Sequence, residues 1–152
     1  MWKGQLRLLL LWICGVVGIG ACLGLITQSG MGSWYDSLQK SALTPPPVVF
    51  AVVWPILYVM IGVTGWLLWA GRIHALKKLF LAQLLLNWSW TPLFFYGHAV
   101  TVALLCLVLL SVVCLIFLWR SWHIARPACL WMIPYVLWVL FATYLNAIIW
   151  VS

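Results

Sequence analysis

The sequence predicts an all-α integral membrane protein, a bundle of five transmembrane helices forming one domain over residues 1–152. Of the residues, 67% are apolar and only 6% are charged. A soluble domain carries about 25% charged residues, so this chain lacks the charge to cover a water-exposed surface. The mean hydropathy of +1.17 agrees and assigns most of this surface to lipid. These values exclude a cytosolic enzyme, a secreted disulfide scaffold and a disordered chain.

A further observation is that the chain contains five apolar segments, each close to the ~20 residues that cross a bilayer as a helix. They lie near residues 6–26, 48–70, 79–95, 99–119 and 128–150. Lys3 and Arg7 precede the apolar stretch of the first segment. This stretch is too long for the apolar region of a signal peptide, and no small-residue cleavage site follows it. We therefore expect it to be a retained helix. Its Gly20-x-x-x-Gly24 motif is typical of a close helix contact.

The other four segments have short connections, which predicts that consecutive helices are antiparallel neighbours. The third segment is short, so we expect Lys77 and Lys78 to reach the membrane surface as anchors. Three prolines lie inside predicted helices, namely Pro55, Pro92 and Pro134. Each removes one backbone hydrogen bond and frees a carbonyl one turn earlier, which protein, water or a ligand must satisfy in lipid.

The longest break between segments is the predicted loop 27–47. It contains glycines and a run of three prolines, but also Trp34, Tyr35 and Leu38. An ordinary linker does not carry such apolar side chains. We therefore expect this loop to fold back onto the bundle.

The basic residues predict the orientation. Five spans place seven of them on the N-terminal side: Lys3, Arg7, Arg72, Lys77, Lys78, Arg120 and Arg126. The other side carries only Lys40, beside Asp36. This asymmetry predicts a cytoplasmic N-terminus, with the long loop and the C-terminus on the far side. The basic residues are dispersed among apolar runs, which indicates membrane anchors and not a nucleic-acid-binding surface.

Few residues offer conventional catalytic or metal chemistry. Asp36 is the sole acidic residue, which excludes catalysis by paired carboxylates within one chain. The five cysteines are odd in number, lie in apolar segments and form no CxxC motif, so we expect free thiols. None of the three histidines has a partner at metal-ligand spacing, so we expect no metal site. A single histidine as an axial haem ligand stays open.

Aromatic and amide side chains recur at helical spacing on three segments. These are Phe50, Trp54 and Tyr58 on the second, Asn87, Trp90 and Phe94 on the third, and Tyr135, Trp138, Ala142 and Asn146 on the fifth, with Leu145 adjacent. Asn87 and Asn146 are costly in lipid unless paired, so these faces point inward. Such a lining suits a flat, largely apolar ligand. The alternative is plain interhelical packing held by the two asparagines.

Three motifs together resemble the TspO/MBR family, which comprises translocator proteins and bacterial tryptophan-rich sensory proteins. The motifs are Trp34-Tyr35-x-x-Leu38-Gln39-Lys40 followed by Pro46-Pro47 and Val53-Trp54-Pro55-x-Leu57-Tyr58, then Ala82-Gln83-Leu84-x-x-Asn87-Trp88-x-Trp90-x-Pro92-x-Phe94-Phe95, then Pro134-Tyr135-x-x-Trp138-x-x-Phe141-Ala142-Thr143-x-Leu145-Asn146. They follow one another in order from residue 34 to residue 146.

The resemblance implies a five-helix bundle, usually a homodimer, that binds porphyrins such as protoporphyrin IX and haem as ligands and requires no cofactor. It also implies binding of benzodiazepine-site ligands, and of sterols in eukaryotic members. The ligand-binding positions that it implies are Tyr35, Pro46, Phe50, Trp54, Asn87, Trp90, Phe94, Trp138, Ala142 and Leu145. In this family the pocket opens under the loop between the first two helices.

One departure from the family affects the choice of ligand. The family's cholesterol motif needs a tyrosine followed by a basic residue, but the matching positions are Ala147 and Val151, and no basic residue follows Tyr144. A porphyrin-handling protein of a bacterial cell membrane therefore fits better than a sterol translocator. Two further alternatives are an enzyme that degrades porphyrin in light and oxygen, with Trp54 and Trp138 as reactive groups, and a structural or regulatory membrane partner.

Overall fold

The computed structural model describes residues 2–152, with side chains from Lys3 onward, and this part of the chain is helical without a strand. The helices are α1 (Trp2–Gly30), α2 (Ser33–Ser37), α3 (Pro47–Ala70), α4 (His74–Thr91), α5 (Val100–Ile124) and α6 (Arg126–Val151). One π-helical turn (Pro92–Tyr96) continues α4. The all-helical membrane fold predicted from the sequence is confirmed at this level.

Four helices are long and apolar enough to cross a membrane: α1, α3, α5 and α6. Helix α4 is absent from this set although it has 18 residues. It begins with His74, Lys77 and Lys78 and carries Gln83 and Asn87 in its middle, and these polar side chains lower its hydropathy. The chain is thus an integral, multi-pass membrane protein, and residues 2–152 contain four apolar candidate spans and one more polar long helix.

Several helix limits differ from the predicted ones. Helix α1 continues to Gly30, and the short helix α2 lies inside the segment predicted as loop 27–47. The hydroxyl of Thr27 donates to the Leu23 carbonyl at 3.1 Å, and Lys40 Nζ donates to the Tyr35 carbonyl at 2.6 Å. These bonds stabilise helical turns that hydropathy does not register, because hydropathy marks the apolar length of a helix and not its hydrogen-bonded length.

Helices α4 and α5 also extend beyond the predicted limits. Helix α4 begins at residue 74 and not 79, and α5 ends at residue 124 and not 119. Lysine and arginine form helices well, so a charged residue ends an apolar segment without ending the helix. At the other end of α4, the proline in position 92 lacks an N–H. The chain widens there into the π-helical turn, which Gly97 closes by donating to the Pro92 carbonyl at 2.9 Å.

Helices α1 and α3 cross closely along one half of their length. A Cβ at Gly62 would lie 2.8 Å from Ile13 Cα, and a Cβ at Gly20 would overlap the Tyr58 ring. Glycines therefore let the two backbones approach. The prediction that the Gly20-x-x-x-Gly24 motif packs on a neighbouring helix is correct for Gly20 only, because a Cβ at Gly24 would meet nothing within 4 Å.

Candidate ligand-binding cavity

A cavity of about 520 Å³ lies between α1, α3, the end of α4 with its π-helical turn, and α6. Its volume falls within the roughly 300–1,000 Å³ of small-molecule sites. Met31 and Tyr35, from the segment between α1 and α3, are among the lining residues. No charged residue is in the lining, and within residues 2–152 no group of three His, Cys, Asp or Glu side chains is placed to hold a metal ion.

Flat aromatic rings form one wall of the cavity. The Trp54 and Trp90 rings are stacked with centroids 6.2 Å apart and planes 30° apart. Trp90 and Phe94 continue the row at 5.9 Å and 26°, and Tyr58 extends it from Trp54 at 5.4 Å and 28°. The wall therefore consists of a continuous row of aromatic rings from α3, α4 and the π-helical turn, which is a suitable contact surface for a planar apolar molecule.

Hydrogen bonds behind this wall hold the rings in place. Trp90 Nε1 donates to Asn146 Oδ1 at 3.3 Å, and Asn146 Nδ2 donates to the Val100 carbonyl at 3.2 Å. The Tyr58 hydroxyl donates to Asn87 Oδ1 at 3.5 Å, and Asn87 Nδ2 donates to the Tyr135 hydroxyl at 3.1 Å. The two asparagines thus satisfy aromatic polar groups from neighbouring helices.

The cavity brings together seven of the ten predicted site residues. These are Tyr35, Phe50, Trp54, Trp90, Phe94, Ala142 and Leu145. Pro46 lies outside the lining, whereas its neighbour Pro47 is a lining residue. Asn87 is also outside, because it is 1% exposed and lies behind Tyr58.

Trp138 is the third predicted residue outside the lining. Its ring packs on Phe50 at 5.7 Å and on Phe141 at 5.7 Å. Its indole N–H is buried and has no hydrogen-bond partner in the part of the chain that the structure describes. The next residue, Val139, is fully buried instead of Trp138. The inward face of α6 runs through residues 135, 139, 142 and 146, so the spacing of three that selected Trp138 was one residue off this face.

Sequence reasoning missed the whole contribution of α1. The α1 residues in the lining are Val17, Gly20, Ala21, Leu23, Gly24, Leu25, Thr27 and Gln28. The available signal was the small residues Gly20, Ala21 and Gly24, which leave space beside a helix. The sequence reading assigned that space to helix packing. Thr91 on α4 is another missed lining position and adds a hydroxyl to the cavity.

Helix α2 lies over the cavity and is anchored to the bundle. The Trp34 ring stacks on His98 with centroids 4.0 Å apart and planes 14° apart. Tyr35 packs on Phe95 at 5.8 Å, and Lys40 Nζ lies 4.7 Å from the Tyr35 ring centroid. The predicted fold-back of this segment onto the bundle is confirmed by these contacts.

The Tyr35 hydroxyl is a neutral group. Burial raises the pKa of the Tyr35 phenol, and the neighbouring Asp36 carboxylate raises it further. Both effects disfavour the phenolate. Tyr35 therefore offers an uncharged hydroxyl at the covered end of the cavity.

These features define a class: a helical, multi-pass membrane protein with an aromatic-walled cavity under a short covering helix. The sequence profile of the TspO/MBR family matches residues 10–151. The chain belongs to the TspO/MBR family. It is 31% identical to the tryptophan-rich protein TspO of Chlorobaculum tepidum, covering 86% of this chain and 92% of the relative. It is 34% identical to the translocator protein of Bos taurus, covering 87% and 82%, and 34% identical to the protein CrtK of Rhodobacter capsulatus, covering 78% of each.

Proposed function

We propose that this protein is a membrane receptor or transporter that binds porphyrins in the cavity between α1, α3, the end of α4 and α6. The observation that carries the proposal is the row of aromatic rings formed by Tyr58, Trp54, Trp90 and Phe94, in which neighbouring planes are 28°, 30° and 26° apart. A planar macrocycle can pack against such a row and bury a large apolar area. The few polar groups of the lining can then fix its orientation.

The metal-free macrocycle, protoporphyrin IX, is the ligand that fits this lining best. None of His74, His98 and His123 lies in the lining, so the cavity offers no imidazole to the iron of haem. Haem and the benzodiazepine-site ligands of the family are therefore secondary candidates, expected to compete for the same aromatic wall.

The test is a titration of the reconstituted protein with protoporphyrin IX, followed by porphyrin absorbance and tryptophan quenching. Trp54→Phe removes part of the wall, and Trp138→Phe is the matched control because Trp138 lies outside the lining. We expect Trp54→Phe to weaken binding by about 1 kcal/mol, since aromatic contacts contribute ~0.5–1.5 kcal/mol beyond their area. The control should bind as the wild type does. Equal affinity of both variants and the wild type would contradict this site.

The position of Trp54 favours a second candidate function, the light- and oxygen-dependent degradation of bound porphyrin. Its ring lies in the wall, whereas Trp138 lies outside it. If the protein is such an enzyme, illumination in air should bleach bound protoporphyrin, and Trp54→Phe should slow this loss more than Trp138→Phe. Bleaching no faster than that of free porphyrin in vesicles would exclude the enzyme and leave the receptor.

We further propose that α4 and its π-helical turn form a fifth span. Residues 74–96 would rise about 35 Å as a helix, which exceeds the ~30 Å hydrocarbon core. The polar residues Gln83 and Asn87 are fully buried in the protein and so do not face lipid. Thiol labelling of His74→Cys and Tyr96→Cys from opposite sides of the membrane would support this span, and labelling of both from one side would contradict it.

With five spans, the seven basic residues share one side, which supports a cytoplasmic N-terminus in a bacterial cell membrane. Reporter fusions at Ser152 test this orientation, and activity of a cytoplasmic reporter there would contradict it. A homodimer is proposed from the resemblance to the family and is tested by the mass of the detergent-solubilised protein. A monomeric mass across concentrations would exclude the dimer.

A further inference from the structure

The outer half of α1, on the side of α2, leans away from α3. At Gly20 a Cβ would overlap the Tyr58 ring of α3, whereas at Gly30 it would overlap the Phe95 backbone of the π-helical turn. Helix α1 therefore packs on α3 at the first position and on the π-helical turn at the second. Between them it rises about 15 Å, or about half of a hydrocarbon core.

The outer half of α3 contacts α6. Its Phe50 ring packs on Trp138 of α6 with centroids 5.7 Å apart. Midway along the outer half of α1, a Cβ at Gly24 would meet nothing within 4 Å. The two helices therefore separate towards α2, and the cavity lies between them.

Small and apolar residues border this separation on both helices. We call it the lateral cleft and define it by Ala21, Gly24 and Leu25 of α1 and by Val48 and Ala51 of α3. All five line the cavity and are exposed, with Leu25 at 69% and Val48 at 64%. In a membrane-spanning protein, such exposed apolar residues contact acyl chains.

The end of the cavity towards the water is covered instead. The Trp34 ring stacks on His98 at 4.0 Å, and the Ser41 and Tyr144 hydroxyls are hydrogen-bonded at 3.0 Å. Lys40 holds the end of α2 through the Tyr35 carbonyl. The segment between α1 and α3 is thus fixed to the turn before α5 and to α6, so entry from water requires these contacts to break.

We propose that the ligand enters and leaves the cavity from the lipid, through the lateral cleft between the outer halves of α1 and α3. This inference rests on the proposed function and adds the route and the ligand class: a planar, apolar ring system dissolved in the bilayer. At the edge of the cleft, Pro55 has no N–H to donate, so the Ala51 carbonyl lacks its partner within the helix. That carbonyl gives an entering ligand a hydrogen-bond acceptor beside the apolar opening.

The test compares Gly24→Leu with Gly18→Leu in lipid vesicles. Both positions are glycines on α1 with open space for a Cβ, so the two substitutions give the same gain in helix propensity. Only Gly24 borders the cavity. Protoporphyrin IX is added already dissolved in the vesicle lipid, and quenching is followed by stopped flow. We expect Gly24→Leu to slow association and dissociation together by about tenfold, as for a narrowed passage. The joint fall of the two rates is the diagnostic result, and Gly18→Leu should behave as the wild type.

A second pair of variants tests the cleft from α3. Val48→Trp narrows it, and Val52→Trp is the control because Val52 is also exposed but lies outside the lining. If Val48→Trp slows porphyrin association and dissociation and Val52→Trp does not, the route is supported, even if Gly24→Leu does not fold. Unchanged rates in both cleft variants, or a faster dissociation that raises Kd, would overturn the route while leaving the proposed function intact. Absence of binding by the wild type would instead overturn both.

Discussion

Asn87 and Gln83 offer a direct test of what buried amides do in this bundle. They lie one turn apart on α4, and both are buried, at 1% and 0% exposure. Asn87 is bonded to the Tyr58 and Tyr135 hydroxyls at 3.5 and 3.1 Å. Among the side chains described from Lys3 onward, neither amide atom of Gln83 has a hydrogen-bond partner. We therefore expect Asn87→Leu and Gln83→Leu to have opposite effects on the stability of the protein.

Asn87→Leu removes both hydrogen bonds and leaves two phenol groups without their partner. Interhelical hydrogen bonds in membrane proteins contribute roughly 0.6 kcal/mol on average and up to about 1.7, so the two bonds together give about 1–3 kcal/mol. Gln83→Leu removes an amide whose burial costs about 1–3 kcal/mol when it is unpaired. We expect the first variant to be less stable than the wild type and the second to be as stable or more stable.

The measurement is thermal unfolding of the two variants in one detergent, without ligand. At roughly 2–4 °C per kcal/mol for a chain of this size, Asn87→Leu should lower Tm by several degrees. Porphyrin affinity should fall in Asn87→Leu as well, because Tyr58 lines the cavity. A loss of Tm in Gln83→Leu equal to that in Asn87→Leu would refute the reasoning, since it would mean that Gln83 has polar partners of its own.

Three other predictions follow from single contacts. Gly20→Ala should destabilise the protein, since a Cβ there overlaps the Tyr58 ring, whereas Gly18→Ala should not; melting curves would decide. Tyr144→Phe removes the bond to Ser41 and should speed proteolysis between α1 and α3, whereas an unchanged rate would mean that this bond does not hold the segment. Because the pKa of Tyr35 is raised above its usual 10.0, the stability of the docked segment should hold at lower pH and fall only as the pH rises above about 10. A rate of proteolysis of this segment that already increases near neutral pH, relative to lower pH, would contradict this.

The sequence predicted the inward faces of α3 and the end of α4 well because both contain large aromatic residues at regular spacing. Phe50, Trp54, Trp90 and Phe94 all line the cavity. On α6 the same reasoning selected Trp138, which lies outside the lining, since tryptophan is large enough to pack beside a cavity as readily as inside it. Val139 occupies the inward position there. A small aliphatic residue gives no such signal within an apolar segment.

The contribution of α1 was unpredictable for a different physical reason. Its cavity-lining positions are glycines, alanine and aliphatic residues, and these are the same residues that pack helices together. Whether Gly20 and Gly24 contact a neighbour or border a void depends on the angle between α1 and α3, which arises from contacts far apart in the sequence. Gly20 meets α3 and Gly30 meets the π-helical turn, so the helix between them is held away from α3.

The π-helical turn links the two parts of the site. Pro92 ends α4 and widens the chain into this turn, which carries Phe94 into the aromatic wall and Phe95 against Gly30 of α1. The same five residues therefore complete the ring row and hold α1 away from α3. A proline predicted from sequence merely to kink a helix thus shapes both the binding wall and the opening beside it. Pro92→Ala should restore a regular helix at this point, shift Phe94 from the wall, and change both the affinity and the rates of porphyrin binding. Unchanged values of both would show that the turn forms without the proline.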